Sequence, residues 1–76
     1  MVISEETLNS AFDSCIRQDI WFEGEREKTT GDILVVRIDR TKPQSDPDYK
    51  TTLCRVDRWE DAQFEIDKRM VEWAVE

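Results

Sequence analysis

With no histidine among its 76 residues, what this sequence keeps for catalysis is chiefly carboxylates, with two thiols as candidate nucleophiles. Without histidine, the usual general base and the commonest metal ligand are both missing. Ser-His-Asp and Cys-His nucleophile arrangements are therefore excluded. Cys15 and Cys54 are far apart in sequence and form no CxxC, so neither a zinc knuckle nor a thioredoxin-type motif can be drawn. Neither thiol has a local base to activate it. Both stand among apolar neighbours and read as buried free thiols; a bridge between them would require their elements to pack face to face. Asp46 and Asp48, beside Tyr49 and interleaved with Pro43 and Pro47, are the acids best spaced for a divalent cation. A calcium loop needs further acids and a glycine at fixed offsets, so this segment reads as a polar turn. The two glycines, Gly24 and Gly31, do not stand between a strand and a helix, which leaves no phosphate-cradling loop. The expectation is a non-enzyme with no cofactor and no metal site.

Charge is the stronger signal. The chain carries 18 acids and 11 bases, a net charge of -7 and a pI near 4.5. Residues 1–31 have 7 acids against 3 bases, residues 32–58 have 5 against 6, and residues 59–76 have 6 against 2. The two ends are acidic and the middle is not. Direct nucleic-acid binding through Arg37, Arg40, Lys42, Lys50, Arg55 and Arg58, with Trp59 or Tyr49 as a stacking platform, faces a field of the wrong sign. Acids also interrupt that run at Asp39, Asp46, Asp48 and Asp57. An acidic surface serves solubility, and it also attracts basic partners with fast, salt-sensitive association.

The elements that must position these groups follow from periodicity. A helix is predicted from about Ser4 to Asp19, with Ser4 as N-cap and Glu5 and Glu6 where the helix dipole favours acids. Leu8, Ala11, Phe12, Cys15 and Ile16 keep helical spacing, and Ile3 and Leu8 have the spacing of a hydrophobic staple. Ile20 to Glu23 reads as a short strand and Gly24 to Gly31 as a loop. Asp32 to Arg40 is a strand with apolar residues on both faces, which predicts a central strand covered on both sides. Thr41 to Asp48 is a surface loop, and Tyr49 to about Val56 is a third strand. The last helix runs from about Arg58 to the C-terminus, capped by Asp57 or a near neighbour. Its main apolar stripe is Trp59, Ala62, Ile66, Met70 and Trp73; a second stripe, Phe64, Val71 and Val75, lies roughly opposite. Asp61, Glu65, Glu72 and Glu76 share a third, acidic face bordered by Lys68 and Arg69.

The expected fold is a small single α+β domain over residues 1–76, helix–three-stranded antiparallel sheet–helix (αβββα), because no connection is long enough for a crossover helix. A chain of this length buries about 60% of its unfolded surface, so its one core is modest. Phe12, Phe22 and Ile33 to Ile38 are its expected members. No signal peptide or membrane span is evident, and the expected compartment is the cytoplasm.

Three tryptophans, Trp21, Trp59 and Trp73, are hard to hide together in so short a chain, and exposed Trp is a common interface anchor. In size and charge the chain is similar to small acidic inhibitors made by phages, some anti-CRISPR proteins among them, although no motif links it to any one of those families. That resemblance implies a nucleic-acid mimic that occupies the basic groove of a nucleic-acid-handling protein. Glu5, Glu6, Asp13, Asp61, Glu65, Glu72 and Glu76 would supply the field, and Trp21, Trp59 or Trp73 the anchor. The alternative is a structural or regulatory subunit that forms a homodimer, or docks on another protein, through the last helix.

Overall fold

Ser4 opens the first helix as a capping residue should: its hydroxyl accepts the Thr7 N–H at 3.2 Å and its carbonyl accepts the Leu8 N–H at 3.0 Å. The computed structural model describes residues 3–75. Helix α1 runs Glu5–Arg17, and Gln18 closes it by donating its backbone N–H to the carbonyls of Ser14 and Cys15. Asp19, at φ 57°, reverses the chain into the sheet; aspartate tolerates this left-handed conformation better than most residues.

Three antiparallel strands follow: β1 (Ile20–Arg26), β2 (Ile33–Asp39) and β3 (Lys50–Val56), in the spatial order β1-β2-β3. Strand β1 is longer than expected. Gly24, Glu25 and Arg26 belong to the ladder opposite Val35, Leu34 and Ile33, so the loop begins only after Arg26. A Cβ at Gly24 would stand 2.9 Å from Trp59 Cζ3 and 3.1 Å from Ile33 Cγ2, so any larger residue there pushes the Trp59 ring aside. Between β2 and β3 the register shifts, with Val35 opposite Cys54 and Val36 opposite Thr52. Leu53 is the extra residue of that bulge, and it packs into both halves of the core.

Helix α2 (Trp59–Val75) follows at once, its first backbone bond running from Ala62 N–H to the Arg58 carbonyl. Both helices lie on the same face of the sheet. Helix α2 crosses all three strands, while α1 packs on α2 and β1. Ile33, Val35 and Ala62, each fully buried, form one half of the core with Ile66 and Leu53. Cys15, Ile20 and Phe22 form the other half with Ile66, Met70 and Trp73. Full burial of each Ile or Val contributes roughly 1.5–3 kcal/mol.

Two core expectations need correction. Strand β2 is central, but no element among the described residues covers its second face, and Leu34 and Ile38 are only half-buried there. Val36 on that face is nevertheless buried, and an ion pair from Lys50 on β3 to Glu25 on β1 spans the middle strand. Phe12 is 40% exposed, not core. The inward line of α1 is Leu8, Ala11 and Cys15, which turns Phe12 and Ile16 to its flank.

Candidate functional site

Phe12 and Ile16, one turn apart on α1, form one rim of an apolar cleft of about 390 Å³. Its floor is Phe22 and Gly24 of β1 with Ile66 and Met70 of α2, and Trp59 closes it at the start of α2. The missing side chain at Gly24 is what lets the Trp59 ring lie down on β1. Among the described residues four large hydrophobic ones are exposed, and three of them, Phe12, Ile16 and Trp59, at 40%, 50% and 51%, surround this one cleft. Clustering of this kind marks contact surfaces, whereas single exposed apolar residues do not. The fourth, Phe64, lies in a separate polar groove of about 490 Å³ beside Arg55, Asp61 and Glu65.

Each tryptophan has an arginine over its ring. Arg26 stands 5.6 Å from Trp59, Arg40 stands 5.6 Å from Trp21, and Arg37 stands 5.0 Å from Trp73. Trp21, half-buried at the cleft, also meets Phe12 edge to face with centroids 6.0 Å apart. Trp73 is engaged inside the fold, since its indole N–H donates to Gln18 Oε1 at 3.1 Å. The three expected anchors therefore differ: Trp59 is exposed, Trp21 borders the cleft, and Trp73 is a structural tie.

The basic side chains are largely taken up within the molecule. Besides the three arginines on tryptophan, Arg55 pairs with Glu27 and Asp32 at 3.1 and 3.2 Å, Lys42 with Asp48 at 3.5 Å, and Lys50 with Glu25. Arg69 Nε faces Glu65 Oε2 at 3.4 Å as an ion pair without hydrogen-bond geometry. The acids are left outward. Glu5, Glu6 and Asp13 are exposed along α1, and Asp61 and Glu72 are exposed on α2. These acids form two patches. Asp61 and half-buried Glu65 line the Phe64 groove beside β3, and Glu72 borders a smaller groove with Arg37 and Leu53. The flank of α2 that carries Gln63 and Met70 faces α1 instead, so Glu5, Glu6 and Asp13 lie on the other side of α2. Glu76 and the Val75 side chain lie outside the described residues.

The titratable groups with shifted pKa values have structural causes. Burial pushes the Cys15 thiol up, and its Sγ approaches only the Met70 carbonyl, at 4.0 Å. Both cysteines are free, Cys15 buried and Cys54 half-buried in the other half of the core. The Asp39 carboxyl is held below the usual range, chiefly by the Thr41 hydroxyl that donates to it, with further help from the Thr41 N–H, Lys42 and Arg37. Asp46 caps its own turn by accepting the Asp48 N–H at 2.8 Å. Among the described residues no three Cys, Asp or Glu side chains converge as a metal-ligand group, and no helix is long and apolar enough to cross a membrane.

Of the residues that line the cleft, sequence reasoning singled out Trp59 and Trp21 but not Phe12, Ile16 and Gly24. The signal for the first two was their position at the edge of the α1 stripe; for Gly24 it was a glycine flanked by residues of strand alternation. No protein-family model, no curated protein and no solved structure matches this chain, so the cleft and its charges are interpreted from their own geometry.

Proposed function

We propose that this protein is a non-enzymatic acidic binding module that docks on a basic protein. In its most specific form, it occupies the basic groove of a nucleic-acid-handling protein as a nucleic-acid mimic. One observation carries the reading. Seven of the 11 bases are engaged within the fold, on tryptophan rings or in ion pairs, whereas five of the 17 acids among the described residues are so paired. Outside ion pairs the described residues leave 12 acids against seven bases, three of them held over tryptophan rings, so the field offered to a partner is negative, and negative fields steer basic partners and lose strength with salt. The apolar cleft at Trp59 supplies the desolvated contact that charge alone does not.

The test is a tagged pull-down from lysate of the native host, washed in parallel at low and high salt. The expected catch is a basic nucleic-acid-binding protein that is released at high salt. Asp61→Lys with Glu72→Lys should weaken its capture while the far-ultraviolet circular dichroism stays unchanged; these two are exposed, whereas Glu65 is held by Arg69. Unchanged capture by the double variant sinks the electrostatic reading.

A second reading has its own support. Phe64 is 46% exposed on the side of α2 away from the cleft, and Val71 on the same stripe is half-buried. This stripe suits self-association or docking through α2. Light scattering should then show a dimer that Phe64→Asp dissociates, and a monomer at high concentration rejects self-association.

A further inference from the structure

We propose that the free edge of β1, together with the cleft beside it, takes an extended peptide segment as a fourth strand, one whose alternate residues are apolar and basic. This deepens the functional reading above and rests on it for the sign of the partner's charge.

The hydrogen-bond phase of the sheet supports the proposal first. Arg40 N–H donates to the Asp19 carbonyl at 2.9 Å, and Glu27 N–H donates to the Asp32 carbonyl at 2.7 Å. In an antiparallel ladder these two bonds fix the alternation, so odd-numbered residues of β1 exchange bonds with β2. Ile20, Phe22, Gly24 and Arg26 then turn their N–H and C=O groups away from β2, where no described strand pairs with them; Ile20 and Phe22 are largely covered, so Gly24 and Arg26 offer the accessible part of the row. Main-chain groups in such a row are a template for strand addition.

The side chains add specificity. Phe22 and Gly24 floor the cleft, and Phe12 and Ile16 stand exposed at its rim. Alternate residues of an added strand would place their side chains into this apolar space. By strand alternation Glu23 and Glu25 leave β1 on the side opposite Phe22 and Gly24, with Glu23 also bordering the cleft at the strand edge. Lys50 engages Glu25, and Glu23 has no basic partner among the described residues. A basic residue on the added strand would face Glu23 as a cross-strand pair. A second copy of this chain fits poorly, because full antiparallel overlap of two β1 strands sets Glu23 against its own copy. The other sheet edge is blunted by the Leu53 bulge and by the charges of Lys50 and Arg55, features that discourage strand addition.

The probes are short peptides of alternating valine and lysine, the valine–glutamate counterpart, and a block peptide of the same valine–lysine composition. Amide hydrogen exchange is followed by NMR on the full chain. The alternating basic peptide should slow exchange at Ile20, Phe22, Gly24 and Arg26 by about tenfold or more, with little effect from the other two. Glu23→Lys should reverse the preference toward the valine–glutamate peptide. Arg26→Pro, which removes one edge-facing N–H and leaves the β1–β2 ladder intact, should weaken the basic peptide relative to Arg26→Ala, which loses the same side-chain contacts to Trp59 and the Gly31 carbonyl but keeps the N–H. Unslowed exchange at those four amides at millimolar peptide, or equal binding of the acidic peptide, overturns the proposal. Failure of the functional reading looks different: strand addition by the peptide with no basic protein retained in the pull-down overturns that reading alone. A basic protein captured without protection of the four amides overturns the added strand alone.

Discussion

The Arg37 guanidinium lies 5.0 Å above the Trp73 ring, and that ring's N–H reaches Gln18 at 3.1 Å. One indole thus joins the central strand, the last helix and the end of the first. The contact gives Trp73, which its residue type marks as a candidate interface anchor, a part in holding the fold together.

Trp73→Phe keeps an aromatic face under Arg37 and loses the hydrogen bond to Gln18. It should cost about 1 kcal/mol, seen as a drop in Tm of roughly 4–8 °C for a domain of this size. Arg37→Ala should cost about 0.5–1 kcal/mol from the lost cation–π contact. If the two effects in thermal unfolding simply add in the double variant, the three-way tie is not cooperative.

Gly24→Ala places a methyl group 2.9 Å from the Trp59 ring and 3.1 Å from Ile33. Overpacking of this kind costs roughly 1–3 kcal/mol. Denaturant unfolding should show the loss, and tryptophan fluorescence should shift as the Trp59 ring lifts from β1. Gly31, at φ 78° with open space around it, behaves differently: alanine there should destabilise through backbone strain without moving any tryptophan signal.

Much of the fold was legible because several local signals agreed. Ser4, the acids that follow it and the Leu8–Ala11–Cys15 spacing all specify α1, and the prolines of the second loop end β2 where the structure does. Strand β1 was cut short in the sequence reading because Gly24 normally signals a turn, and only the tertiary approach of Trp59 explains a glycine inside a strand. Apolar residues on both faces of β2 suggested two covering layers. What they report instead is one helical layer and, on the other side, an ion pair drawn across the strand from its two neighbours. Phe12 and Ile16 fall within the helical period, but period alone does not distinguish the centre of a buried stripe from its exposed margin. The cleft was illegible for the same reason: it depends on how far α1 stands from β1, which no local pattern encodes.

The Asp39 carboxyl, below its ordinary value because Thr41 donates to it, gives a pH dependence of definite sign. A carboxyl whose folded pKa is depressed stabilises the protein above the unfolded value, here near 3.8, and that contribution is lost as pH falls through the folded value. The NMR titration midpoint of Asp39 should lie below 3.8 and rise in Thr41→Val. An unchanged midpoint in that variant would assign the shift to the Thr41 N–H, Lys42 and Arg37 instead.

The two thiols should react at different rates. Cys54 is half-buried, whereas Cys15 is buried with its thiol pKa raised, so little thiolate forms there near neutral pH. A thiol-reactive dye should label Cys54 first and reach Cys15 only with unfolding. Equal labelling rates in the native protein would mean that α1 opens locally from α2.

The asymmetry of the sheet edges has a consequence for self-assembly. One edge offers an unpaired row beside an apolar cleft, and the other carries a bulge and two cations. A strand that joins β1 brings its own far edge, but the bulge and charges of β3 disfavour a second addition there. Growth by edge pairing is therefore disfavoured beyond one addition for each molecule. Such a domain gains a docking edge without gaining two ends from which a fibril could propagate.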